Sequence, residues 1–268
     1  MNGRVLIVAG SDSGGGAGIQ ADIKTCTALG AYAATAITAV TVQDTRAVHA
    51  VYAVPPEVIA AQIRVVLGDI GADVVKLGMI GSEAAGEAIL GALPGNVPLV
   101  LDPVLVATSG DALGDGAVAA LIRGALLPRA AVVTPNAPEL AALTGIEVAD
   151  ETGLRRAAEA LLTRGAGAVL AKGGHLSGET LVDLLVTQDG VLRIEHPRLP
   201  GASTHGTGCT LASAVAASLA QGLPLEAAAR RGVAYVAAAI RHAPGLGQGH
   251  GPLNHALREG PDGWGPVP

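Results

Sequence analysis

Six short runs of apolar, largely β-branched residues alternate along this chain with segments of helical spacing, and no other feature restricts the fold as strongly. The runs lie at residues 5–9, 33–41, 74–77, 99–102, 131–134 and 169–172. Helical patterns fall at 17–29, 57–67, 83–93, 116–126, 138–143 and 151–164. Strand–helix–strand units of this kind close as right-handed crossovers between parallel strands, so the pattern predicts a doubly wound α/β sheet with helices on both faces. Residues 180–186 and 191–194, parted by Thr187-Gln188-Asp189-Gly190, predict a hairpin at one sheet edge. Two further helices, at 207–220 and 225–242, complete a single domain over 1–258. The Gly/Pro-rich chain that follows predicts a loose tail at 259–268.

The composition suits such a sheet. Half of the residues are hydrophobic and 15% charged, yet Phe is absent and only three Tyr and one Trp occur. The core must therefore be built from Ala, Val, Leu and Ile, as in strands buried on both faces. A net charge of −6, with no Lys/Arg cluster and few aromatic rings, argues against a nucleic-acid partner. No apolar stretch reaches the roughly eighteen residues a membrane span needs, and the first apolar run is too short for a signal-peptide core. Cys26 and Cys209 form neither a disulfide framework nor a zinc pattern, which favours a reducing cytoplasm. His250 and His255 sit in a Gly/Pro-rich segment unlike a helical metal pair.

In doubly wound sheets ligands bind beyond the carboxyl ends of the strands. Those ends are unusually polar here: Gly10-Ser11-Asp12-Ser13-Gly14-Gly15-Gly16, Gln43-Asp44, Lys76 to Met79, Asp102-Pro103, Thr134-Pro135-Asn136 with Glu139, and Lys172-Gly173-Gly174-His175. A last block, Thr204-His205-Gly206-Thr207-Gly208-Cys209, opens the Ala-rich helix at 207–220. Amides at a helix start, approached through glycines, can cradle a phosphate or an oxyanion. Cys209 falls on the first turn, where the helix start should lower its pKa and suit it to act as base or nucleophile. Cys26 faces the apolar side of its helix and is expected to be inert. The segment around Gly18 and Lys24 is no Walker A loop, because Ile23 replaces its second glycine, and Ile19 breaks a dinucleotide fingerprint.

Taken in order, these blocks resemble the ribokinase-like small-molecule kinases across nearly the whole chain, specifically the hydroxymethylpyrimidine/phosphomethylpyrimidine kinases of thiamine biosynthesis. The commoner ribokinase-like pattern ends Gly-Thr-Gly with Asp, whereas these pyrimidine kinases end it with Cys, as here. The resemblance implies a three-layer α/β fold, ATP and Mg²⁺, and two successive phosphoryl transfers to an aminopyrimidine, in a protein that is often a homodimer. It casts Cys209 as general base or proton-positioning group, with the amides of Gly206, Thr207 and Gly208 stabilising the moving phosphoryl. Lys172 would meet the ATP phosphates, Thr204 and Asn136 would join it in binding ATP, and Glu139 with Asp102 would organise Mg²⁺. Gln43 would read the substrate ring, since a side-chain amide offers a donor beside an acceptor. Gly10, Asp22, Met79 and Val106 would line the same pocket. Residues 104–114 are expected to form a flap over it, and 43–55 a second cover. A pyridoxal or pyridoxine kinase is the nearest alternative, and a non-catalytic aminopyrimidine sensor a more distant one.

Overall fold

The structure, a computed structural model, describes residues 1–105, 116–199, 204–260 and 263–266. β1 (Arg4–Asp12) carries side chains alternately to the two faces of the sheet: Leu6 and Val8 enter one apolar core, Val5, Ile7 and Ala9 the other. α1 (Gly18–Ala28) follows and ends at Leu29, with Gly30 at φ 81° supplying the left-handed residue that stops it. β2 (Tyr32–Gln43) pairs parallel with β1, as the first crossover requires. β3 (Val48–Ala53) then returns antiparallel along β2, so the stretch expected to be a cover over the site is mostly an edge strand. Only His49 is polar in this short run, and the polar residues 43–46 just before it give the stretch the look of a loop.

The remaining elements are α2 (Pro56–Asp69), β4 (Val74–Leu77), α3 (Glu83–Ala92), β5 (Leu99–Leu101), α4 (Gly116–Leu121), β6 (Ala130–Val133), α5 (Ala137–Thr144), α6 (Glu151–Thr163), β7 (Val169–Ala171), β8 (Thr180–Thr187), β9 (Gly190–Pro197), α7 (Thr207–Ala220), α8 (Leu225–Arg241), β10 (Leu257–Gly260) and β11 (Gly263–Pro266). The segment expected to continue α4 to residue 126 widens into a π turn at Ile122–Leu126. The nine-stranded sheet has the order β3-β2-β1-β4-β5-β6-β7-β8-β9. Its six central strands are parallel, and the β8–β9 hairpin is antiparallel at the far edge, as the sequence predicts.

Helices α2 to α6 cover one face, while α1, α7 and α8 cover the other. In α7 every residue from Thr210 to Ser218 is buried, and its small side chains let α8 come close: a Cβ on Gly232 would lie 3.0 Å from Leu211 Cδ1. The tail is not loose throughout. β10 and β11 pair, and Trp264 stacks edge-on against Tyr235 at 5.0 Å with the Arg231 guanidinium over its ring. A single indole supplies the anchor that the Gly/Pro composition conceals. The order in which strands are added reverses between β1 and β4, with β2 and β3 laid down on one side and β5 to β9 on the other, which opens a crevice at their carboxyl ends.

Candidate active site

A cavity of about 570 Å³ occupies that crevice, and the turns after β1, β4, β5, β6 and β7 all reach it. Around it, three glycines hold main chain tightly against main chain. Gly206, at φ 81°, caps α7, and any side chain there would collide with the Gly16 carbonyl. Gly18, at φ 56°, lies equally tight against the Gly10 carbonyl. Gly173 is pressed onto Val182 of β8 in the same way. These contacts explain why glycines accumulate at the ends of the apolar runs.

At one end of the cavity stands Lys172. Its ammonium lies 3.3 Å from Asp102 Oδ1 and 3.9 Å from Glu139 Oε2. A Cβ on Gly208 would sit 3.0 Å from the same nitrogen, so the start of α7 faces this cluster directly. Asn136 and Glu139 form a capping box on α5: Asn136 Oδ1 accepts from the Glu139 amide at 2.8 Å, and Glu139 Oε2 accepts from the Asn136 amide at 2.7 Å. Capping therefore accounts for the Asn-x-x-Glu spacing and also aims the Glu139 carboxylate at Lys172. Burial raises the Glu139 carboxyl to about 7, against the pull of Lys172 and with added repulsion from Asp102. Burial opposes the charge on Lys172, but Asp102 and Glu139 more than compensate and hold its pKa above the usual lysine range. Two carboxyls share one ammonium, so full ionisation of both requires further positive charge. Thr204 and Thr207 also line the cavity, and the Thr207 amide donates to the Thr204 carbonyl at 3.4 Å, which leaves Gly208 and Cys209 as the first-turn amides without such a main-chain bond.

At the other end, Gly10 and Met79 are in contact: a Cβ on Gly10 would lie 3.0 Å from Met79 Sδ. Gln43, Thr41, Val104 and Leu105 also line the cavity. Val106 and the remainder of the expected flap lie outside the described residues. Asp22 is displaced from its expected position on the pocket wall. It is fully buried beneath the wall, 2.8 Å from the ammonium of Lys76, and accepts a 2.7 Å hydrogen bond from Ser213 Oγ. Lys76, to which the sequence reading gave no role, borders the cavity in its place. An ammonium at the end of a fully buried strand is a signal in itself, because such a charge must find a partner.

Cys209 sits between the two ends, on the first turn of α7 as expected. Its pKa moves the opposite way from expectation. Burial, with Asp22 and Asp102 nearby, pushes the thiol up to about 12, outweighing Lys76 and the Gly18 amide. The resting group is a thiol. Cys26 is buried and its thiol is pushed above the usual range by burial, in keeping with an inert core position.

A model of the phosphomethylpyrimidine kinase family matches residues 12–254. The chain is 49% identical over 252 residues to the hydroxymethylpyrimidine/phosphomethylpyrimidine kinase of Streptomyces coelicolor, covering 94% of this chain and 93% of that protein. It is also 49% identical over 257 residues to the thiamine biosynthesis bifunctional protein ThiED of Geobacter sulfurreducens, covering 95% of this chain but 52% of that protein, so it spans about half of ThiED's length. Among solved structures, an ADP complex of Bacillus subtilis pyridoxal kinase superposes with a TM-score of 0.87 at 32% identity, over 96% of this chain and 98% of that one. The family match runs through the glycine turn after β1, Lys172 and the start of α7 alike, and on it the chain belongs to the phosphomethylpyrimidine kinase family, built on a ribokinase-like α/β fold.

Proposed function

We propose that this chain transfers the γ-phosphoryl group of ATP to the hydroxymethyl oxygen of 4-amino-5-hydroxymethyl-2-methylpyrimidine, and then a second phosphoryl group to the resulting monophosphate, in thiamine biosynthesis. The observation that carries this reading is the position of Cys209. It lines the cavity on the first turn of α7, beside Gly208, which faces Lys172, and its thiol meets the amide of Gly18, which is packed on Gly10. An acceptor hydroxyl held beside Cys209 would face a phosphate held beside Lys172.

Phosphoryl transfer needs positioning and charge stabilisation more than strong base catalysis. A thiol that rests protonated suits this need, because it orients the acceptor oxygen while the oxygen keeps its own proton until late in the transfer. The Gly208 and Cys209 amides, with the Lys172 ammonium, would stabilise charge on the moving group. Asp102 and Glu139 fit a magnesium ion bound partly through water: they are buried hard-oxygen ligands, and a cation beside them would hold both ionised. Bound there, the ion would neutralise phosphate charge. Among the described residues no three His, Cys, Asp or Glu side chains gather as a direct metal cage, which agrees with water-mediated binding. Asn136 would support ATP binding chiefly by fixing the start of α5.

The exposed Val40, Val42 and Tyr52, side by side on β2 and β3, support a homodimer. Two free thiols support a cytoplasmic location, and among the described residues no helix is long and apolar enough to cross a membrane. The likeness to the Bacillus subtilis enzyme supports a second reading, pyridoxal kinase. ADP release with the pyrimidine alcohol, its monophosphate and pyridoxal, each offered separately, tests the choice. Both pyrimidines should turn over with pyridoxal slow, and Cys209→Ala should slow the first transfer at least about tenfold more than the second, whose acceptor is already ionised. Turnover of pyridoxal alone would replace the substrate assignment.

A further inference from the structure

The amide of Gln43 has protein partners on both sides. Thr41 Oγ1 lies 3.2 Å from Gln43 Oε1, and His205 Nε2 lies 3.3 Å from Gln43 Nε2. The same His205 nitrogen is 2.9 Å from Asp12 Oδ2. Burial works against ionisation of Asp12, but hydrogen bonds from His205 and from the amides of Ala17 and Gly14 hold its carboxyl below the usual range. An ionised carboxylate only accepts, so His205 Nε2 must carry a proton and donate it. With the amide nitrogen of Gln43 on that side, two donors face each other.

The opposite side has the complementary conflict. Thr41 Oγ1 has one proton for two acceptors, the Ser11 carbonyl at 3.0 Å and Gln43 Oε1 at 3.2 Å, so in this orientation one of the two goes without it. Rotating the amide by half a turn removes both clashes: Gln43 Nε2 donates to Thr41 Oγ1, and Gln43 Oε1 accepts from His205 Nε2, shared with Asp12. The two ends of an amide have nearly the same shape, so the hydrogen-bond network decides between them. The imidazole that makes this decision is itself clamped. A Cβ on Gly16 would come within 2.5 Å of His205 Cδ2 and 3.2 Å of Pro252, and the His205 amide donates to the Gly251 carbonyl at 3.3 Å.

We propose that Asp12 and His205, with Thr41, form a positioning device that fixes the orientation of the Gln43 amide and so determines which edge of a heteroaromatic acceptor the pocket takes. The proposal rests on the reading of Gln43 as the group that meets the acceptor ring. Once its two internal bonds are made, Gln43 keeps one N–H and one lone pair side by side, and these pair with a ring nitrogen next to an exocyclic amine. A ring carrying an exocyclic oxygen beside an N–H needs the opposite amide orientation, which sets the Gln43 amide nitrogen against the His205 donor and leaves the Thr41 proton shared between two acceptors.

The test compares His205→Leu, His205→Gln, Thr41→Val, Gln43→Ala and the Gln43→Ala/His205→Leu double variant. Each is assayed for KM of the aminopyrimidine, KM of ATP, and preference for the aminopyrimidine over its 4-oxo analogue. His205→Leu should raise KM for the pyrimidine about tenfold and reduce the preference by a similar factor, with KM for ATP within about twofold. His205→Gln keeps a donor and should stay within about threefold of the parent. Thr41→Val, which leaves the start of α7 untouched, should raise the same KM about threefold. The double variant should match Gln43→Ala alone. Parallel rises in both KM values, multiplying effects in the double variant, or an unchanged preference in Thr41→Val would each overturn the proposal. If Gln43→Ala leaves the pyrimidine KM unchanged in an enzyme that still turns over, this inference falls while the kinase reading stands. Absence of pyrimidine turnover in the parent protein defeats that reading as well.

Discussion

Two lysines lie within reach of the same thiol, and they are settled in opposite ways. Lys76 is fully buried and faces one carboxylate, Asp22, at 2.8 Å, and a serine hydroxyl completes that carboxylate's bonding. Lys172 keeps 14% of its side chain exposed to the cavity and faces two carboxylates, neither closer than 3.3 Å. The first cluster is balanced and closed. The second has two carboxyls for one ammonium and is open, with longer contacts that a ligand can displace. Residue types alone would not separate the two, since each is a lysine among acids. Charge balance and access to the cavity assign one to holding the wall and the other to meeting phosphate.

The largest effect expected from this contrast is on stability. Removing one partner of a sealed pair strands the other, so Asp22→Leu should cost about 3–5 kcal/mol in urea unfolding, and Lys76→Met/Asp22→Leu should recover most of the loss. A double variant no more stable than the single would mean that the pair does more than balance itself. Next, Lys172→Met should lower kcat/KM about 10²–10³-fold. Its stability should change less than that of Asp22→Leu, because Glu139, already raised to about 7, can take up a proton when its cation is lost. Equal destabilisation by the two substitutions would erase the distinction between the clusters.

The smallest effect concerns Cys209, which senses both clusters. With burial pushing its pKa up to about 12, alkylation of Cys209 by iodoacetamide should rise about tenfold per pH unit from pH 8 to 11, without the plateau of an ordinary thiol. The sign for stability follows. Above about pH 8.5 an unfolded chain loses this proton before the folded one does, so the group favours unfolding as pH rises. Lys76→Met should slow alkylation further. A plateau near pH 8.5, resolved at Cys209 by mass spectrometry, would show that the helix start outweighs burial after all.

Much of this arrangement was legible in the sequence, for reasons tied to particular residues. The apolar runs located the parallel strands because strands buried on both faces tolerate little else. The start of α7 at Thr207 was marked by Gly206 and by the Ala-rich run after it. Partnerships across the fold were not legible. Asp22, Lys76 and Ser213 are distant in sequence and meet only because α1, β4 and α7 converge, so Asp22 was read as a pocket residue. The Cys209 pKa was misjudged because position on a helix is local information, whereas burial depends on everything packed around the thiol. Trp264 was overlooked because the Gly/Pro residues around it indicate a loose chain, and its partner Tyr235 lies on α8.

The backbone-on-backbone contacts at Gly18, Gly173 and Gly206 bear on how such a pocket can be altered. Where carbonyls rather than side chains meet the glycines, point substitution has almost no room to act, and reshaping by single changes is confined to positions such as Gln43, Met79 and Leu105. A graft intended to admit a different acceptor would have to carry the glycine turn after β1 and the chain before α7 as a matched set, because each turn is moulded against the other.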